Sequence, residues 1–342
     1  MLEFILEFVK TYWAQLARVI IVPGIAFVLL FDLIAVWFER KLLAHSMLRI
    51  GPLHVGKVAG CLQIIADFIK LLAKEINTPR NANRLLFNSL PILLVVIPTT
   101  GVAFIPFGQN WIIYNPGGLS LPLFLAVMSL TVFMPIMIGW ASNNKYTIIG
   151  SLRAGYVYIS AEIPILLSAI GVAIMAGSFD LVKIVEAQSK MWFIVPQILG
   201  FIVFVIAILM ESERVPFDIP VAEQELVLGW RTEYTGINFG FVMMSEYSAI
   251  CSWSLLLVTL YLGGYNGPLL LGNRLVSNIL WVLIKLAIVV TALILLRSVF
   301  PRYRIDQALK ISWHYLIPLA ILNVVISAGL TFFFPQLKAL IG

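Results

Sequence analysis

The sequence predicts an all-α polytopic membrane protein, with eight transmembrane helices and an amphipathic helix in the first cytoplasmic loop. Three observations predict it. The chain is 61% hydrophobic and 12% charged, about half the charge of a soluble domain, and its mean hydropathy is +0.99. A soluble fold of 342 residues cannot hide that much apolar surface, so lipid must be its solvent. Eight runs reach the roughly 20 mainly apolar residues that a crossing needs. The basic residues also gather in alternate loops, as a membrane protein's do. Residues 1–342 are read as a single integral membrane domain.

The runs fall near 19–38, 85–106, 119–140, 155–177, 191–210, 236–262, 276–296 and 313–334. The loops after the first, third, fifth and seventh hold 16 of the 23 Lys and Arg residues, the even loops and tails hold 6, and Lys285 lies within the seventh run. The positive-inside rule then places the odd loops in the cytoplasm and both termini outside. The opening MLEFILEFVK carries Glu3 and Glu7 and lacks a basic n-region, so no cleavable signal is expected. No connection is long enough for a soluble domain, and no internal repeat is visible.

The first loop, 39–84, contains the amphipathic stretch 55–74. Val58, Leu62, Ile65, Ile69 and Leu72 recur at helical spacing, with Asp67, Lys70 and Lys74 on another face. That pattern suits a helix lying in the membrane interface. A helix packed on its neighbours for stability alone is the plainer reading.

Residues 211–235 carry six carboxylates, Glu211, Glu213, Asp218, Glu223, Glu225 and Glu233, against Arg214 and Arg231. So dense an acidic patch at a membrane surface points to proton handling. Four further ionisable residues fall within the apolar runs: Asp32, Glu162, Glu246 and Lys285. A charge at mid-bilayer costs about 2.5–3.5 kcal/mol on insertion scales. The four therefore mark a polar route through the bundle, or act as paired glue between helices. Pro164 beside Glu162 favours the route, because proline frees carbonyls of the preceding turn. Glu39-Arg40-Lys41 reads as the close of the first helix, with Lys41 a plain anchor. Arg40 and Arg49, and from the other side Arg297, Arg302, Arg304 and Asp306, could face an electronegative ligand or the acidic loop.

Other chemistries are excluded. Gly51–Val58 nearly spells a phosphate-binding loop, but Val58 offers magnesium no hydroxyl and the segment follows a membrane helix. His45, His54 and His314 do not form a pair within the spans for haem, and two cysteines cannot hold a cluster or a disulfide framework. No metal or cofactor is expected in this chain. The net charge of +6 sits at helix ends and is no nucleic-acid footprint.

The stretches ERKLLAHSMLRIGP, LQIIADFIKLLAKE, GWASNNKYTIIGSLRA with the following SAE, ESERVPFDIPVAEQELV with EYTGINF and SEY, and RSVFPRYRIDQ occur in that order. Together they closely resemble one family, the membrane subunit at the junction of the two arms of respiratory complex I (the H subunit of bacterial enzymes). The resemblance covers the chain nearly end to end. It implies eight transmembrane helices with an amphipathic helix in the first loop. It implies a quinone cavity shared with peripheral-arm redox subunits, which hold the iron–sulfur clusters, and antiporter-like and small membrane subunits as further partners. By resemblance, Arg40, Arg49, Asp67 and Arg297 belong around the cavity. Glu211, Asp218, Glu223 and Glu225 form an acidic mouth, and Glu162, Glu233 and Glu246 continue a proton route. The implied role is to couple quinone reduction to proton translocation in a prokaryotic plasma membrane, as a subunit that is not catalytic alone.

The chain departs from the family at Ile50, where a lysine is usual, at Val221, where an acid often stands, and at Glu213, usually neutral. Ion-translocating membrane-bound hydrogenases, and complexes fed by a deazaflavin coenzyme or ferredoxin, carry a homologous subunit and are the alternative. From another class, a self-sufficient secondary transporter would also bury Glu and Lys in its bundle. It would place its site at mid-membrane, whereas the acids and arginines here concentrate on one surface.

Overall fold

A computed structural model describes residues 13, 15, 17–56, 60–269 and 272–333. The elements are helical, with no strand among the described residues. They are α1 Ile25–Ser46, α2 Gln63–Ala73, α3 Arg84–Val102, α4 Ser120–Ser142, α5 Lys145–Ala176, α6 Leu181–Ala187, α7 Ile198–Glu211 and α8 Glu223–Leu226. A 3₁₀ turn, Gly229–Arg231, leads into α9 Gly236–Tyr261, followed by α10 Arg274–Val299 and α11 Ile305–Lys310. The last runs through a π turn, Ile311–Leu316, into α12 Ile317–Phe333.

Seven helices among the described residues are long and apolar enough to cross a membrane. They match seven of the eight expected runs. The eighth, 191–210, yields only the 14-residue α7, about 21 Å of helix against a hydrocarbon core of about 30 Å. Pro196 explains the shortfall. It lacks an N–H and disfavours helical backbone in the residue before it, so residues 193–197 form turns and the helix starts at Ile198. Those turns are sealed by protein. The Ile194 N–H donates to the Tyr261 carbonyl at 3.0 Å, and Gln197 Nε2 donates to the Gly171 carbonyl at 2.8 Å and to Ser327 Oγ at 3.1 Å.

Three boundaries differ from expectation. α1 continues to Ser46, so Glu39, Arg40 and Lys41 lie inside the helix rather than at its end. ERKLLA is a run of good helix formers, and the chain breaks only at Leu48, in left-handed backbone (φ 54°). α5 starts ten residues before the expected 155. Asn143 (φ 52°) ends α4, and the Asn144 side chain caps α5 by accepting the Tyr146 N–H. In the first loop, the helix begins at Gln63, and Lys57 and Val58 lie outside the described residues, as do both tails. Leu62, just before α2, and Ile65, Ile69 and Leu72 on it are exposed. Ile64, Asp67, Phe68 and Leu71 line a cavity against α9.

α9 is the central post: 72% of its apolar window is buried, against 22% for the helical run ending in α12. Trp253 of α9 sits edge-on to Phe124 of α4 and Phe204 of α7, with centroids 5.7 and 6.5 Å away. The loop after α7 folds back over the ends of α1, α5 and α9. Two glycines allow this. A Cβ on Gly150 of α5 would stand 2.6 Å from the Trp230 nitrogen. Gly229, at φ +59°, would place one 1.8 Å from the Pro220 carbonyl oxygen.

Gly229→Ala should therefore displace the 212–231 loop. The cost is at least about 1 kcal/mol, because the native backbone is incompatible with a side chain. Limited proteolysis of membranes is expected to cut the variant within this loop faster than wild type. Equal resistance would show that the loop does not depend on the close approach.

Candidate functional site

Where α1, α9 and α10 meet the returning loop, they enclose a cavity of about 580 Å³. Six arginines line it (Arg40, Arg49, Arg214, Arg231, Arg297, Arg302), against four acids (Glu39, Glu213, Asp218, Glu246). The acid-rich run thus does not present a bare acidic surface. Its carboxylates are answered by guanidinium groups, with an excess of positive charge in the wall.

The pairing is specific. Glu39 of α1 accepts from Arg214 Nη1 at 2.6 Å and pairs with Arg297 of α10. Arg231 bridges Glu213 and Glu246, and Trp230 Nε1 donates to Glu213 at 3.0 Å. Arg302 holds Asp218 at 2.9 Å. The Arg214 guanidinium lies 4.6 Å over the Tyr247 ring. Burial works against the charge on Arg214 and Arg231, but Glu39 beside the first and Glu246 and Glu213 beside the second outweigh it. Burial raises the Asp218 carboxyl above the usual range despite Arg302.

A second cavity of about 340 Å³ adjoins the first and shares Arg40, Phe239 and Met243 with it. Arg40 Nη1 donates to Asp67 at 2.6 Å, and Gln63 Nε2 at 2.9 Å. Burial works to raise Asp67, but these hydrogen bonds and the Arg40 charge outweigh it and hold the carboxyl below its ordinary value. Arg40, Arg49, Asp67 and Arg297 are therefore brought together, with Arg40 at the junction of the cavities. Arg49 forms no ion pair among the described residues.

The carboxylates divide. Glu246 lines the large cavity and also a small one of about 30 Å³, shared with Glu211, Thr131 and Tyr158. Thr131 Oγ1 lies 3.2 Å from Glu211, and Glu162 and Glu213 lie within electrostatic reach of Glu211. Asp218 belongs to the large cavity and also to a surface hollow of about 270 Å³, where Glu225 pairs with Arg153. Glu225 thus stands beside the chamber rather than in its wall. Glu233 accepts from Asn144 Nδ2 at the start of α5 and lines none of these cavities. Glu223 heads α8, and its side chain lies outside the described residues. Lys285 donates to the Gly264 and Asn266 carbonyls, both at 2.8 Å, and fastens the loop after α9. Among the described residues no group of three or more His, Cys, Asp or Glu could hold a metal ion.

Sequence reasoning missed Glu39, Arg214 and Arg231 as site residues. A signal for Glu39 existed. It lies seven residues after Asp32, two turns on and so on the same helix face, and both are buried.

These features define an integral membrane protein of helices, with a charged, ligand-sized chamber at one end of the bundle. Residues 19–328 match the NADH dehydrogenase family, and the chain belongs to it. It is 41% identical over 338 residues to an H subunit (numbered 2) of the NADH-quinone oxidoreductase of Rhizobium etli, covering 93% of this chain and 97% of that one. With the like-named H subunit of Rhizobium meliloti the identity is 43% over 311 residues, covering 89% and 93%. With the H subunit of the Brevibacillus brevis enzyme it is 39% over 318 residues, covering 93% of each.

Glu39 is the shared anion of two arginines, so Glu39→Gln should leave buried Arg214 uncompensated. Removing one partner of a buried pair typically costs about 3–5 kcal/mol. Arg297, which is more exposed, can turn to water. The variant is expected to lower the unfolding temperature of the solubilised protein, and the double variant Glu39→Gln/Arg214→Leu to recover much of the loss. Additive losses would show that the two side chains do not depend on one another.

Proposed function

We propose that this chain is the membrane subunit of an NADH-quinone oxidoreductase at the junction of its two arms. Its larger cavity is the membrane wall of the quinone chamber, and its internal carboxylates couple quinone reduction to proton translocation. Redox subunits carrying iron–sulfur clusters close the chamber from the cytoplasm, and antiporter-like and small membrane subunits adjoin the bundle. The relatives named above favour a quinone over the acceptors of hydrogenase-type complexes.

One observation carries the coupling. Glu246 belongs at once to the chamber wall and to the small cavity that contains Glu211, so the ion-pair network is continuous with acids inside the bundle. Reducing a quinone to a hydroquinone takes two electrons and two protons. Electrons arriving first place negative charge in a low-dielectric chamber. Arg231 feels that charge while bridging Glu213 and Glu246. As it turns toward the acceptor, it leaves carboxylates that take up protons more readily. Glu246, Glu211 and Glu162 then form the inward path, with Glu213 at its mouth. Glu233 and Glu225 sit aside from it.

Parity supports the chain topology proposed here. The end of α1, the residues that follow α7 and the start of α9 border the chamber, which favours an even number of crossings between α1 and the 212–235 loop. α3, α4 and α5 supply three. The fourth is α7 with its preceding turns, because Ile194 meets the last residue of α9 and α7 ends at the chamber. This reading counts eight crossings. α2 lies along the membrane surface with Ile65, Ile69 and Leu72 toward lipid. The basic loops face the cytoplasm and both termini the opposite side.

Arg40→Gln and Asp67→Asn are expected to lower quinone reductase activity of the assembled complex several-fold. Activity near wild type in both would mean that the pair is a surface contact and not part of the wall.

Glu246→Gln and Glu162→Gln keep shape but remove titration. Both should impair proton pumping in sealed vesicles, together with the turnover tied to it, at normal subunit content. Full pumping at normal turnover in both variants would end the coupling reading.

A further inference from the structure

At the end of the bundle remote from the chamber, a groove of about 300 Å³ runs between the start of α1 and the end of α3. Ile25 and Leu29 of α1, Val95 and Val96 of α3, Ala103 and Ile113 line it. Thr99 and Thr100 also belong to the wall, but their hydroxyls are spent on their own helix. Thr99 Oγ1 donates to the Val95 carbonyl at 2.6 Å and Thr100 Oγ1 to the Ile97 carbonyl at 2.7 Å. The groove is therefore apolar. From Val95 to Ala103 it follows the chain for about 12 Å of helix. One leaflet of a bilayer has about 15 Å of hydrocarbon, half of the roughly 30 Å core.

Arg18 stands at the rim. Its chain neighbour Val19 lines the groove. Arg18 Nη1 donates to the carbonyl of Ile112, next to Ile113, at a long 3.5 Å, and the guanidinium lies 5.0 Å from the centre of the Trp111 ring. Nε is enclosed without a partner, so compensation for the charge has to come at the terminal nitrogens. No carboxylate pairs with Arg18 among the described residues, yet a guanidinium stays charged. Tyr114, whose N–H donates to the Ala103 carbonyl at 3.1 Å, is 57% exposed. With Trp111 it forms an aromatic rim of the kind found at head-group level.

We infer that this groove binds one glycerophospholipid, with an acyl chain between α1 and α3 and its head-group phosphate on Arg18. The charge at the rim asks for an anion, and phosphate matches the guanidinium fork. The apolar length below the rim suits a chain confined to one leaflet. A crossing helix from another subunit would instead need an apolar face about 30 Å long. The lipid steadies the start of α1, whose far end carries Glu39 and Arg40. The site lies apart from both cavities at the chamber end and does not depend on what the chamber binds.

The test uses the assembled complex in vesicles containing phosphatidylglycerol with a photoreactive acyl chain. Bulk lipid is washed away in mild detergent before illumination, and labelled peptides are mapped by mass spectrometry. Groove residues are expected to carry more label than Ile321 and Val325 of α12, which are exposed apolar side chains outside the groove. Arg18→Gln is expected to cut groove labelling about tenfold, the worth of one charge-assisted hydrogen bond, with labelling of α12 unchanged. Arg18→Lys keeps the charge and should retain much of the label. Groove labelling no higher than that of α12 overturns the site, and so does labelling that Arg18→Gln leaves unchanged. A groove that takes no label, because another helix covers it, overturns it too. If Arg18→Gln does not assemble, Val96→Trp decides by filling the groove: lost label on Ile25 and Leu29 supports the site and unchanged label overturns it. No turnover is measured, so these outcomes leave the functional reading where it stands.

Discussion

Glu39, only 3% exposed, lies in the chamber wall between Arg214 on the returning loop and Arg297 at the end of α10. A carboxylate in that position is tolerated only with cations beside it, and a buried guanidinium only with an anion. The two needs are met from three distant stretches of chain, and meeting them fixes where those stretches must be. Arg231 repeats the device with Glu213 and Glu246. The loop after α7 is therefore held by charge as much as by packing, and the chamber takes its shape from that. Chamber walls of this kind need not be the most stable arrangement. Hydrophobic residues of similar volume often serve stability as well or better. What ion pairs offer is a wall whose members can exchange partners when a new charge arrives.

The bundle was legible in the sequence because its signal is compositional. Twenty apolar residues in a row have few other uses, and α3, α4, α9 and α10 begin and end within a few residues of expectation. The failures have local causes. Pro196 halts a helix inside a run that hydropathy alone treats as continuous. Asn143 and Asn144 make a joint so tight that α5 starts where a loop was expected. The apolar stripe expected to lie in the membrane interface, Leu62, Ile65, Ile69 and Leu72, is exposed, and the pattern alone did not say that the opposite side of α2 would line a cavity.

The site was legible in part. Arg40, Asp67, Arg297, Asp218 and Glu246 were identifiable as charges in the wrong solvent, or by resemblance, and the fold gathers them. Their partners were not identifiable. Glu39 pairs across 175 residues with Arg214 and 258 with Arg297, and no local pattern encodes such distances. The same gap explains why the acidic run looked like an uncompensated patch. Arg231, within the run, answers Glu213, but Arg153 of α5 answers Glu225 and Arg302 after α10 answers Asp218, and only folding brings those two to it.

The π turn at Ile311–Leu316 has a bearing on how this chain can vary. A π turn accommodates one extra residue within a helix, and one residue is about 100° of rotation. Upstream of it, Asp306 faces the hollow beside the chamber. Within it, the Ser312 hydroxyl and the Trp313 indole reach Ser160, two residues before Glu162. Downstream, Ser327 meets Gln197 at the start of α7. These three engagements keep a common phase only with the extra residue in place. Removing one residue from 311–316 would leave every side chain chemically intact and the span long enough to cross, yet would rotate its two halves out of alignment. The length of this segment is thus under tighter constraint than its composition, and substitutions here should be accepted where single-residue gaps are not.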